Sequence, residues 1–175
     1  MVDLFDPESF SAYFSGDELY CCIGTTKAKT PDKNQYRKID FEIPVLLGQL
    51  CKQHKIGTYL VISALGANPN SSIFYSRVKG EMEEAVLQMG IQKTYILQPS
   101  LIDSKREERR IGEYFFIKVM KLVNPLLIGK FKKYQSIPAN SIADAMIWLA
   151  NHTHSDKRIS SEVIQKLARK YREND

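Results

Sequence analysis

Tyr75 and Lys79 stand four residues apart in a stretch of helical character, and Ser63 precedes Tyr75 by twelve residues. A spacing of four places two side chains on one face of a helix, one turn apart. An isolated tyrosine, with a pKa of about 10, exchanges protons poorly at neutral pH, but a neighbouring ammonium group favours the phenolate and lowers that pKa. A serine hydroxyl can hold a substrate oxygen beside the tyrosine. Together these residue types suit proton transfer to a carbonyl oxygen, with the hydride supplied by a cofactor.

The tyrosine–lysine spacing alone is weak evidence, because both residue types are common on helices. The alternative interpretation is a half-buried tyrosine beside a surface lysine, and the spacing by itself favours that alternative. Ser63 shifts the balance towards a functional site, because it ends an apolar and β-branched run at 58–63 that predicts a buried strand. A hydrolase nucleophile is excluded at Ser63, since the sequence V-I-S-A-L lacks the G-x-S-x-G turn.

The surrounding chain alternates short apolar runs with longer amphipathic stretches, which predicts a parallel sheet with helices on both faces. We predict strands at 18–23, 58–63 and 94–97, a loop at 26–39, and helices at 7–14, 40–54, 72–89, 110–123, 141–151 and 161–172. Ligands of such sheets bind at the carboxyl ends of the strands. The residues that follow the predicted strands, Gly24, Thr25, Ser63, Pro99 and Ser100, are therefore candidates for a binding site.

Five segments resemble the atypical short-chain dehydrogenase/reductases, and within them the Tat-interacting-protein oxidoreductases. They are 20–26 (YCCIGTT), 57–67 (GTYLVISALGA), 74–85 (FYSRVKGEMEEA), 96–102 (ILQPSLI) and 105–115 (KREERRIGEYF). The similarity extends from about residue 1 to about residue 151. The order of these motifs is more specific than any one of them.

The resemblance implies a role for each matching residue. Ser63, Tyr75 and Lys79 match the catalytic serine, tyrosine and lysine, and Lys79 also reaches the cofactor ribose. The expected cofactor-binding residues are Asp3 and Leu4 near the adenine, Gly24 and Thr25 beside the ribose, Lys79, and Pro99, Ser100 and Ile102 beside the nicotinamide. Arg106, Arg110, Gly112 and Glu113 resemble an R-x-x-x-R-x-G-E stretch of the group, without an assigned role.

Two departures from the family pattern affect the expected function, one in the catalytic residues and one in the cofactor-binding unit. The stretch 40–54 contains no asparagine, so the fourth catalytic residue of classical members has no counterpart. The opening strand–GxxGxxG–helix unit, whose backbone amides hold the pyrophosphate, is absent from the sequence. The expected fold is therefore a three-layer, Rossmann-like α/β domain over 1–175 that lacks the first βαβ unit. We expect weak binding of NADP or NAD, and self-association through a bared sheet edge.

Composition narrows the remaining functional classes. The net charge is +5, but acidic residues are interspersed with the basic ones, which favours solvated surface over a nucleic-acid interface. The basic helix at 161–172 suits a solvated face, so neither a nucleic acid nor a membrane is expected as a partner. The histidines His152 and His154 suit surface positions, so no metal is expected. Three cysteines without a CxxC pair, and an acidic start, favour a reducing, cytoplasmic setting.

Two functions stay open at this point. The first is an NAD(P)(H)-dependent oxidoreductase that acts on a small carbonyl or alcohol substrate. The second is a catalytically silent Rossmann-like module that binds a protein partner.

Overall fold

The computed structural model describes residues 3–103 and 135–174. Its strands are β1 (Glu18–Cys21), β2 (Thr58–Ile62), β3 (Lys93–Gln98), β4 (Ile102–Asp103), β5 (Ile137–Pro138) and β6 (Arg158–Ser160). Its α-helices are α1 (Lys33–Arg37), α2 (Ile43–Gln53), α3 (Phe74–Gln88), α4 (Ala139–Asn151) and α5 (Ser161–Asn174). The main sheet has the order β1–β2–β3–β6 with every neighbouring pair parallel, and β4 and β5 form a separate parallel pair.

Side chains of the central strands alternate between the two faces of the sheet, as the period of a β-strand requires. Tyr59 and Val61 of β2 join an apolar cluster with α2 and α3, whereas Leu60 joins a second cluster with α4 and α5. Ile96 and Leu97 of β3 divide between the two clusters in the same way. Helices therefore cover both faces of a parallel sheet, which confirms the predicted three-layer α/β fold.

Crossover connections bring the carboxyl ends of the strands to one edge of the molecule. α2 lies between β1 and β2 in the chain, and α3 lies between β2 and β3, so these two parallel pairs are joined through helices. Within the described ranges, β1 pairs with β2 alone and is an edge strand of the main sheet. Within those ranges, no helix has the length and apolar character needed to cross a bilayer.

Several short elements differ from the sequence prediction. The predicted helix at 7–14 is two 3₁₀ turns, Pro7–Ser9 and Ser11–Tyr13, and the predicted loop at 26–39 contains α1. A π-helical turn, Lys38–Glu42, occupies the expected start of the helix at 40–54. β4, β5 and β6 were not predicted, because two or three residues carry too little hydrophobic periodicity to be recognised. The predicted helix at 110–123 lies outside the described residues.

Candidate active site

A cavity of about 1110 Å³ opens at the carboxyl ends of β1, β2 and β3. Its wall includes the segments that follow these strands, the amino-terminal half of α3, and an apolar face of α4. Ligand sites in proteins usually have volumes of about 300–1,000 Å³, so this cavity has room for a cofactor fragment together with a small substrate. Its position is the one expected for the ligand site of a parallel α/β sheet.

Lys79 lies in this cavity as one half of a buried ion pair. Its Nζ is 2.9 Å from Oδ1 of Asp40, and the two side chains are 5% and 1% exposed. The second oxygen of Asp40, Oδ2, accepts a hydrogen bond of 2.9 Å from the backbone N–H of Thr25. The Lys79 ammonium also lies 3.5 Å from the carbonyl oxygen of Ile62 at the end of β2. The lysine is thereby fixed between three elements of the fold.

The π-helical turn explains how Asp40 reaches the site. It lies between α1 and α2, and π-helical turns occur frequently at functional sites. Asp40 and Tyr36 are the buried residues of this stretch, and both face the segment that follows β1. The Tyr36 hydroxyl donates to the carbonyl oxygen of Thr25 over 3.3 Å. The two side chains hold Thr25 through both of its backbone polar groups.

Tyr75 lines the same cavity from the first turn of α3, and it is 40% exposed. Its ring packs edge-on against Tyr36, with 6.4 Å between the ring centroids. Partial burial, and then the negative charge of Asp40, raise the pKa of Tyr75 to about 12. We expected Lys79 to lower this pKa. That expectation is wrong for this arrangement, because burial and then the negative charge of Asp40 both disfavour the phenolate.

Ser63 also contributes to the cavity wall, but its hydroxyl is engaged with another side chain. Ser63 Oγ donates to Oε1 of Glu83 over 2.5 Å, and Glu83 is 1% exposed. The same carboxylate accepts hydrogen bonds from Nε2 of Gln98 and from Nε of Arg158. Since a hydroxyl carries a single proton, Ser63 can donate to a substrate oxygen only after it leaves Glu83.

The predicted cofactor-binding residues divide into two groups. Gly24, Thr25, Lys79, Pro99, Ser100 and Ile102 line the cavity. Asp3 and Leu4 are not among the described residues of its wall: Asp3 accepts a hydrogen bond from the Phe5 N–H in an amino-terminal turn, and Leu4 packs against the core. Residues 3 and 4 belong to a turn and not to the end of a strand, and their adenine contact stays a prediction. Arg106, Arg110, Gly112 and Glu113 lie outside the described residues.

Sequence reasoning missed two parts of the site. Asp40 was interpreted only as the start of a helix, and the available signal was its spacing of four from Tyr36, which puts both on one helical face. The second part is the face of α4 that carries Ile142, Met146 and Ile147. In the sequence these residues look like ordinary core positions, and only the fold brings them to the cavity.

The raised pKa of Tyr75 predicts a loss of stability at alkaline pH. Folded Tyr75 has a pKa of about 12, whereas an unfolded tyrosine has one of about 10. The folded state therefore keeps a proton that the unfolded state has released, and this contribution, fully present below about pH 10, is lost as the pH approaches about 12. Urea unfolding of Tyr75→Phe across this range should show a shallower decline than the unaltered chain. Parallel curves would contradict the assigned direction.

Comparison with known proteins gives no match to a family model over this chain. It does find curated relatives. "Protein FMP52-1, mitochondrial" of Scheffersomyces stipitis is 29% identical over 133 residues, which are 76% of this chain and 52% of that protein. "Protein fmp52, mitochondrial" of Aspergillus niger is 39% identical over 98 residues, which are 55% of this chain and 42% of that protein. The chain spans about half the length of the curated relatives it matches.

Solved structures are similar over nearly the whole chain. The RMD protein of Pseudomonas aeruginosa, solved in complex with NADPH, matches with a TM-score of 0.67 at 14% identity, covering 97% of this chain and 69% of that one. The ADP-L-glycero-D-manno-heptose-6-epimerase of Helicobacter pylori matches with a TM-score of 0.64 at 13% identity, covering 97% and 63%. At such identities the likeness establishes the fold.

Two expectations are corrected by these findings. The cytoplasmic location is contradicted, since several curated relatives carry the word mitochondrial in their names. The matched relatives are named FMP52 and not as Tat-interacting proteins, so the finer group that we expected is not supported. What the comparisons do show is a Rossmann-like α/β fold, which the chain shares with the solved epimerases and the RMD protein.

Proposed function

We propose that this chain carries the nicotinamide half of an NAD(P)(H)-dependent oxidoreductase site for a small carbonyl or alcohol substrate. The observation that carries the proposal is the position of Tyr75 and the buried Lys79 in one cavity at the carboxyl ends of the strands. A phenol that can give a proton and a fixed ammonium are the side chains that carbonyl reduction requires. The solved relatives with bound NADPH or NAD support this use of the fold.

The described residues fit the nicotinamide and ribose part of such a cofactor. Gly24 leaves a gap beside the ion pair: a Cβ there would lie 3.3 Å from Oδ1 of Asp40 and 3.8 Å from Nζ of Lys79. A ribose hydroxyl in that gap would meet the Lys79 ammonium. When bound, the nicotinamide supplies the hydride. The pyrophosphate fits less well, because the sequence contains no GxxGxxG loop, and we expect weak binding of the free dinucleotide.

Each residue has a distinct role in this proposal. Tyr75 donates its phenolic proton to the substrate oxygen, and Lys79 orients the ribose. Ser63 stays a candidate for holding the substrate oxygen, on condition that its hydroxyl turns from Glu83. The apolar wall formed by Ile142, Met146 and Ile147 suits an uncharged substrate with a hydrocarbon body.

Tyr75→Phe tests the catalytic proposal. With NADPH and a panel of uncharged aldehydes and ketones, the variant should lose turnover by about 100-fold or more, since a positioned acid contributes about 10²–10⁴. Its affinity for reduced nicotinamide mononucleotide, measured by calorimetry, should stay close to that of the unaltered chain. Tyr13→Phe is the matched control, because Tyr13 is 77% exposed in the amino-terminal turns. A chain that neither binds the mononucleotide nor oxidises NADPH would contradict the proposal.

A protein-binding module is the second candidate function, and the edge strand β1 favours it. β1 pairs with β2 alone within the described ranges and carries the partly exposed Tyr20. An exposed strand edge can pair with another chain. Sedimentation at increasing concentration would reveal self-association through this edge, and Leu19→Pro in β1 should weaken it.

The names of the relatives also support a mitochondrial location for this protein. Fractionation of cells that express the full protein tests that location, and recovery in the cytosol alone would contradict it.

A further inference from the structure

We propose that Asp40 is a positioning residue of this site: it holds the Lys79 ammonium and the Thr25 loop together, and it neutralises the positive charge that would otherwise act on Tyr75. This inference rests on the proposed function and extends it to the direction of the reaction. Because Asp40 neutralises the Lys79 ammonium, the ammonium stabilises the Tyr75 phenolate less, and the phenol keeps its proton to higher pH. The site therefore suits proton donation to a carbonyl compound better than proton acceptance from an alcohol.

The geometry gives each oxygen of Asp40 a separate task. Oδ1 lies 2.9 Å from Nζ of Lys79, and Oδ2 accepts the N–H of Thr25 at 2.9 Å. The carboxylate is 1% exposed, so its charge is weakly screened by solvent. Breaking such a pair from one side leaves an uncompensated charge in the interior. The lysine ammonium and the loop after β1 are consequently fixed by one side chain.

Among the described residues, the charged and titratable groups around Asp40 come from three secondary-structure elements and one loop. Lys79 and Tyr75 face it from α3, Tyr36 from α1, and Cys21 from β1, and Lys29 also lines the cavity. Burial is the largest cause that raises the pKa of Tyr75, Tyr36 and Cys21, and the charge of Asp40 adds to it in each case. The carboxylate therefore acts in one direction on every acid around it.

Asp40→Asn removes the negative charge at position 40 and keeps an acceptor for the Thr25 N–H. The amide oxygen can still accept the Thr25 N–H, so the loop keeps its anchor, while the Lys79 ammonium loses its counter-charge. The readout is the spectrophotometric titration of tyrosine in the cofactor-free chain. For each variant, the titration curve of the same variant carrying Tyr75→Phe is subtracted. This difference isolates Tyr75 from the other tyrosines. Glu42→Gln, an exposed carboxylate in the same π-helical turn, is the matched control.

The Tyr75 midpoint should fall from about 12 by about one unit or more in Asp40→Asn, and should not move in Glu42→Gln. Asp40→Glu, which keeps the charge, should titrate like the unaltered chain. If Asp40→Asn does not fold, Asp40→Asn/Lys79→Met removes both charges, and its midpoint should still lie below that of the unaltered chain.

An unmoved midpoint in both Asn variants overturns the role of Asp40, whether or not turnover is seen. A lowered midpoint in a chain without any turnover contradicts the proposed function but supports the electrostatic role. Where turnover is present, Asp40→Asn should move the rise of alcohol oxidation with pH to lower pH by the same shift.

Discussion

Gly80→Ala is expected to lower the free energy of unfolding by about 3 kcal/mol or more, an overpacking loss at or above the usual range. A Cβ at position 80 would lie 2.2 Å from N of Pro69, and 2.3 Å and 2.7 Å from C and Cα of Asn68. These are backbone atoms of the loop that crosses α3, and the loop is tied to the helix by the Asn68 N–H, which donates to the Ser76 carbonyl at 2.9 Å. The clash cannot be relieved by rotation of a side chain.

Helix propensity alone predicts the opposite sign, because alanine inside a helix is favoured over glycine by about 1 kcal/mol. Urea unfolding of Gly80→Ala and Gly57→Ala distinguishes the two effects. A Cβ at Gly57 would meet only the side-chain oxygen of Gln92, at 3.6 Å, which is an ordinary contact. The control should change stability by less than about 1 kcal/mol. Equal stability of both variants would mean that the loop at 66–70 does not lie against α3.

Glu83→Ala is expected to lower the free energy of unfolding by about 3–5 kcal/mol. The carboxylate is 1% exposed and joins three elements. It accepts from Ser63 Oγ at 2.5 Å, from Gln98 Nε2 at 2.9 Å and from Arg158 Nε at 2.8 Å. Its removal leaves the Ser63 and Gln98 donors without an acceptor inside the protein, and each such group is costly.

Glu84→Ala provides the matched control for this network. Glu84 accepts a hydrogen bond of 2.8 Å from Nη2 of the same guanidinium, that of Arg158, but the Glu84 side chain is 49% exposed. An ion pair in that setting contributes less than about 1 kcal/mol. Chemical denaturation should therefore separate the two neighbouring glutamates clearly. Similar losses in both variants would show that burial of the Glu83 network adds no stability.

The strands and the main helices could be predicted from the sequence because their signal is local. The run at 58–63 alternates between the two apolar clusters, and the spacing of Tyr75 and Lys79 puts both on the cavity side of α3. β6 was missed because its three residues pair with β3 only after α4 has crossed the sheet. Strand pairing across such a distance leaves no pattern in the residues themselves.

The electrostatics of the site could not be predicted for the same reason. Asp40 lies far from Lys79 in the chain, and a π-helical turn with no sequence signal of its own turns it inwards. The expected lowering of the Tyr75 pKa was inferred from Tyr75 and Lys79 alone, whereas burial and then the charge of Asp40 raise that pKa in the folded chain. Ser63 was correctly placed at the cavity, but its bond to Glu83 depends on how α3 packs over β2.

The buried pair of Asp40 and Lys79 also constrains how this protein can diverge. A single substitution at either position leaves an unpaired charge in the interior, so a sequence with one partner replaced is expected to be less stable than one with both or neither. Lineages should therefore keep both residues or lose both together. Descendants that have abandoned the site would be recognised by the joint replacement of the two by a neutral pair. An aspartate inherited without its lysine would instead indicate that another cation has taken the place of the ammonium.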